Sequence, residues 1–131
     1  MGKPILDATI TTAEGKGAGV KVLFDTGSFY TIVRENVLPE GTAIIRYKPE
    51  RELGTAGQEG KIRICGATDL IFSIGDKMID DRALVSPDLR SELIIGAKTM
   101  QSWDITVRNQ NGKTDVVVGH DMHDPEITEV V

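Results

Sequence analysis

Apolar and polar residues alternate one by one along most of this chain. Leu6, Ala8 and Ile10 alternate with Asp7, Thr9 and Thr11. Val20, Val22 and Phe24 resume the same period after a turn-like stretch from Ala13 to Gly19. A period of two predicts strands with one buried face. The longest case is KIRICGATDLIFSI, residues 61–74. Ile62, Ile64, Leu70, Phe72 and Ile74 share one parity there, while Lys61, Arg63, Asp69 and Ser73 take the other. One long antiparallel strand is expected, with a bend or bulge at Gly66. Gly75-Asp76 turns the chain, and KMIDDRALV returns along 77–85. Within 104–118, Asn111-Gly112 separates two strand-like runs and predicts a tight hairpin. A helical pattern is confined to about Ala97–Trp103, after Gly96. The sum is a small all-β domain of many short strands with one short helix towards its C-terminal end.

Composition narrows the setting. A chain of 131 residues suits one domain with one core. Residues 1–118 are assigned to that domain, and 119–131 to an acidic tail expected to fray. No run of about 18 apolar residues occurs, so no membrane span is expected. Met1-Gly2-Lys3-Pro4 does not begin a charged-then-apolar signal peptide. Cys65 is the one cysteine, which excludes an intramolecular disulfide and points to a reducing, cytoplasmic setting. The net charge is −5 with both signs interspersed and no basic run, so nucleic acid is not the expected partner.

Chemistry enters at VLFDTGSFYTIV, residues 22–33. An apolar strand ends there on Asp25, followed by Thr26, Gly27 and Ser28. A carboxylate leaving a buried strand needs hydrogen-bond donors or a neighbour with which to share a proton. Gly27 can bring its backbone N–H close because no Cβ intervenes, and Ser28 and Thr26 add hydroxyls. The same four residue types also make ordinary turns, so the loop taken alone is equally a turn. Two further segments change that balance. ELGTAGQEGKIRI, 52–64, reads as two strand arms around a tip rich in Gly54, Gly57 and Gly60. SELIIGAKTM, 91–100, runs from apolar residues through Gly96 into the helix.

In this order and spacing, from Pro4 to about Arg108, the chain resembles the retropepsin-like aspartic proteases. Its 104–118 hairpin is closest in layout to the cellular, DNA-damage-inducible-type members. The resemblance implies a small closed acid-protease barrel that works as a homodimer on a polypeptide substrate. It implies no cofactor and no metal. One chain carries one Asp-Thr-Gly-Ser motif, so Asp25 would meet Asp25 of a second copy across an isologous two-fold axis. The pair would share a proton; one member would activate a water as base, and the other would donate to the scissile carbonyl. By the same resemblance, Thr26 would bond across the axis, Gly27 would line the cleft floor, and Ser28 would support the outer carboxylate oxygen. Gly54, Thr55, Ala56, Gly57 and Gln58 would form a flap closing over substrate. Ile32, Leu84, Val85 and Ile95 would wall the subsites, with substrate added as an extended strand.

Some residues depart from the pattern. Phe29 and Ala97 stand where retroviral enzymes pair an acid with an arginine to hold the dimer. That strength would then come from the 111–112 hairpin and the N-terminal strand. Tyr30 lies where substrate is recognised, and Glu59 sits in the flap tip. The alternative reading is therefore a catalytically silent dimer that binds extended peptides or serves as a dimerisation module. Elsewhere, His120, Asp121, His123 and Asp124 could suggest a metal, but no third cluster completes a site. Cys65 and Trp103 read as packing residues. Asp80 and Asp81, as strand neighbours, point to opposite faces and cannot share a proton.

Overall fold

The computed structural model describes residues 4–54 and 60–125. The predicted N-terminal hairpin consists of β1 (Ile5–Thr12) and β2 (Gly17–Phe24), paired from Ile5↔Leu23 to Thr11↔Gly17. Short β3 (Ile32–Arg34) follows. β4 (Ile45–Gly54) then pairs with β5 (Lys61–Ile74), the long strand anticipated from its alternation. Gly75, at φ 60°, opens the turn into β6 (Lys77–Ser86). β7 (Leu93–Ile95) leads through Gly96 into α1 (Ala97–Ser102). β8 (Ile105–Gln110) and β9 (Lys113–Val118) form a separate hairpin. Its turn residues Asn111 and Gly112 have φ 50° and 75°, as the mirror-type turn of a two-residue hairpin requires.

The large sheet runs β1-β2-β7-β3-β6-β5-β4, and an added β1–β5 pairing closes six of its strands into a barrel. β4 lies outside that closure, paired to β5 alone. Inside the barrel, Ile10, Val22, Phe24, Val33, Phe72, Ile79, Val85, Leu93 and Ile95 form the main core. Trp103 packs against it while its indole N–H donates to the Asp80 carbonyl at 3.0 Å. Cys65 is buried in the same core, and burial pushes its thiol pKa up. A second, smaller cluster gathers Ile32, Ile64, Ala67, Leu84 and Leu89, with Tyr30, Tyr47, Leu53, Ile62 and Ile94 packed against it.

These two clusters correct one expectation. Ile62 and Ile64 do not share a face with Leu70, Phe72 and Ile74; they belong to the second cluster, and the others to the main core. The parity changes at Gly66. Cys65 before it and Leu70 after it both enter the main core, while Ile64 and Ala67 enter the other. A Cβ at Gly66 would come within 2.2 Å of the Ile45 carbonyl oxygen. Only glycine allows β4 to cross so close at the bend.

The expected fraying does not extend to residues 119–125. Gly119 N–H donates to Asp104 O at 2.9 Å, and His120 N–H to Trp103 O at 3.0 Å. Met122 N–H reaches Met78 O at 2.7 Å, and Met78 N–H returns to the Asp121 carboxylate at 3.0 Å. Asp121 is only 3% exposed and also holds the His123 ring at 2.6 Å. The Met78 N–H first, and His123 beside it, hold the Asp121 carboxyl below its usual value of 3.8. A folded-state pKa below the unfolded one contributes stability at neutral pH that is lost as pH falls through the folded value. The wild-type melting temperature should therefore drop more steeply below about pH 4 than that of Asp121→Asn, as thermal melts at stepped pH would show. Among the described residues, no helix is long and apolar enough to cross a membrane.

Candidate active site

β2 ends at Phe24 because Asp25 turns out of the sheet. The Asp25 N–H still donates to Ile95 O at 3.0 Å, extending the parallel β2–β7 pairing by one bond. The Ser28 N–H then closes a turn on Asp25 O at 3.1 Å. Gly27 N–H donates to Asp25 Oδ1 at 2.9 Å, the bond that the glycine was expected to provide. Asp25 is half-buried, while Thr26 and Gly27 lie on the exposed side of the loop.

Ser28 differs from expectation. Its hydroxyl donates to Tyr30 O at 2.7 Å rather than to the carboxylate. It tightens the loop on the far side, where the chain bends back towards β3. The helix holds the same stretch. Ala97 N–H donates to Ser28 O at 2.6 Å, and Lys98 N–H to Phe29 O at 3.0 Å. The first turn of any helix has N–H groups without helical partners; here loop carbonyls accept from two of them. Gly96 allows this closeness, since its backbone passes directly beneath the Ser28 and Tyr30 carbonyls.

Beneath the loop runs a polar chain that the sequence did not reveal. Gly96 N–H donates to Thr31 Oγ1 at 3.1 Å. Thr31 and Thr99 hydroxyls meet at 2.5 Å, and Thr99 donates to Asp81 Oδ2 at 2.6 Å. Because Thr99 gives its proton to the carboxylate, Thr31 must donate to Thr99, and every donor in the chain has a definite acceptor. Thr31 and Thr99 are buried. Asp81, partly buried, thus anchors the loop and helix to β6. Thr99→Val would keep the shape but strand both partners. It should cost about 2 kcal/mol in denaturant unfolding, more than Ser102→Ala on the exposed side of the helix.

Strand alternation sorts the four expected subsite residues. Ile32 stands opposite Leu84 on β6 and opposite Ile94 on β7, and all three belong to the second cluster. Val85 and Ile95, each 0% exposed, point the other way into the barrel core. They form no wall here. Ile94, the neighbour of Ile95 that faces the other way, lies with Ile32 and Leu84 instead. Of the arm expected as a flap, Gly54 ends β4 opposite Lys61; Thr55, Ala56, Gly57 and Gln58, with Glu59, lie outside the described residues. His120, Asp121, His123 and Asp124 bond among themselves and to Met78, and no group of three metal-ligating side chains occurs among the described residues.

A loop that leaves one barrel strand at an aspartate, and is clamped by a parallel strand and the helix after it, is how the retropepsin-like fold presents its carboxylate. This chain has that fold. Among solved structures it is similar to EIAV protease complexed with the inhibitor HBY-793, with TM-score 0.52, 19% identity, and coverage of 77% of this chain and 88% of that one. It is also similar to the retroviral protease-like domain of Ddi1 from Leishmania major, with TM-score 0.51, 16% identity, and coverage of 90% and 98%. At such identities the likeness is one of fold. No family model and no curated protein matches the chain.

Proposed function

We propose that the chain is one half of a homodimeric aspartic endopeptidase whose catalytic group is Asp25. The observation that carries this is the Asp25 loop itself, a carboxylate that accepts from Gly27 N–H on a loop face where Thr26 and Gly27 are exposed. That face leaves room for the same loop of a second copy. Two such carboxylates brought together share a proton. The charged one takes a proton from a water, the water attacks the peptide carbonyl, and the protonated one donates to the developing oxyanion. The substrate is a polypeptide lying extended across both subunits. Apolar side chains would rest against Ile32, Leu84 and Ile94.

A second reading is a dimer that binds extended peptides without cleaving them. It is favoured by the Ser28 hydroxyl bonding to Tyr30 O, which leaves it turned from the carboxylate it was expected to support. One experiment separates the two. The protein is incubated with an unstructured polypeptide from roughly pH 3.5 to 7, while sedimentation reports its association state. Cleavage by a dimer supports the protease. An inert dimer that retains the polypeptide supports the binding module. A monomer that neither cuts nor binds rejects both.

A further inference from the structure

The β4–β5 arm has two faces of opposite character. Register puts Arg51 opposite Ile64 and Leu53 opposite Ile62. Ile64, Ile62 and Leu53 all belong to the second apolar cluster, the one that holds Ile32, Leu84 and Ile94. Arg51 therefore stands on the arm's inner face. Its neighbours Glu50 and Glu52 take the outer face, where Arg63 stands opposite Glu52, reaches Glu50 at 3.5 Å and binds Asp88 at 3.0 Å. Glu50 and Glu52 are thus on the far side from the cluster. On the inner side, the Arg51 guanidinium lies over the Tyr30 ring, 5.8 Å from its centroid. Phe29 meets Tyr30 edge-on at 5.1 Å and is itself 58% exposed. Among the described residues Arg51 has no carboxylate partner, whereas Arg46, Arg63, Arg82 and Arg108 each have one.

An aromatic ring beneath a guanidinium fixes its plane and leaves its edge N–H groups free to donate. Such an edge matches a carboxylate with two parallel hydrogen bonds. Arg51 and Tyr30 also border the apolar cluster, so the surface offers a cation beside an apolar floor. We propose that Arg51, set on the Tyr30 ring, selects peptides carrying a glutamate or aspartate next to an apolar residue near the bond to be cut. The selection presupposes that the chain takes extended peptides as proposed above, and it adds the class of sequence taken. Attraction comes from charge complementarity: a basic side chain at that position would meet Arg51 with like charge and be rejected.

The test uses peptide sets identical except for Glu, Gln or Lys at one scanned position beside a Leu. With cleavage as readout, wild type should prefer Glu over Gln by about fivefold in kcat/KM at its best position, and the preference should shrink in high salt. Arg51→Gln should level Glu and Gln, and Arg51→Glu should prefer Lys. Tyr30→Phe should retain the preference and Tyr30→Leu should reduce it. The same peptides, labelled, are also titrated against Asp25→Asn protein by fluorescence anisotropy. If nothing is cleaved, the protease function fails, but binding that ranks Glu above Lys in Asp25→Asn and inverts with Arg51→Glu added still upholds the selection. Equal handling of Glu and Lys peptides by wild type, or an order unchanged by Arg51→Glu, overturns it.

Discussion

Asp25→Asn should abolish peptide cleavage, lowering kcat/KM by about a thousandfold or more, while leaving the melting temperature and the association state unchanged. Asparagine matches aspartate in shape, and its amide oxygen can still accept from Gly27 N–H, which is 2.9 Å from Asp25 Oδ1. The backbone bonds from Asp25 N–H to Ile95 O and from Ser28 N–H to Asp25 O do not involve the side chain. The loop should therefore survive intact. What goes is the chemistry. An amide takes no proton from water at working pH and cannot alternate between base and acid, so neither half of the paired mechanism runs. Peptide binding should persist, because it depends on the apolar row and the arm. Stopped cleavage assays with calorimetric melts and sedimentation on the same preparations check every part. Cleavage that survives in the variant would sink the assignment of Asp25.

Gly96→Ala should be the most damaging small substitution near the loop, costing about 3 kcal/mol or more and lowering the melting temperature by about 10 °C. The added methyl would sit 2.3 Å from Tyr30 O, 2.6 Å from Ser28 O and 2.7 Å from the Tyr30 carbonyl carbon. These are backbone atoms that no rotamer change moves aside. The loop must lift or the helix must back away, and either motion breaks the bonds from Ala97 and Lys98 to Ser28 O and Phe29 O. It also strains the Gly96–Thr31–Thr99–Asp81 chain below. Gly19→Ala is the control, since a Cβ there meets nothing within 4 Å and should leave stability within about 0.5 kcal/mol. A Gly96→Ala protein as stable as Gly19→Ala would mean that the loop and the helix are not packed as described.

The features legible in the sequence were those set by near neighbours. Alternation located β1, β2 and β5, because a strand's faces are written into successive residues. Asn111-Gly112 located the β8–β9 turn, because few other pairs accept two positive φ values in succession. The Gly27–Asp25 bond spans two residues and was anticipated from glycine's bare backbone. Illegible features needed partners distant along the chain. The parity change at Gly66 arises because β4 crosses there, which no period within β5 can show. Thr31, Thr99 and Asp81 are unremarkable polar residues until the barrel closes and brings them together. Asp121 reads as part of an acidic tail, yet its carboxylate accepts from the N–H of Met78, 43 residues back along the chain. Ile95 was placed on the wrong side because a strand as short as Leu93–Ile95 contains too few residues to fix a phase, and Val85 because it was grouped with Leu84, its strand neighbour on the opposite face.

The parallel pairing of β2 with β7 has a consequence for timing. The segment bearing Asp25 is made some seventy residues before the strand and helix that clamp it, Leu93–Ile95 and Ala97–Ser102. A nascent chain still inside the ribosomal tunnel beyond residue 92 carries the acidic motif without the clamp that shapes it. Translation must pass residue 102 before the motif can take the shape it has in the closed barrel.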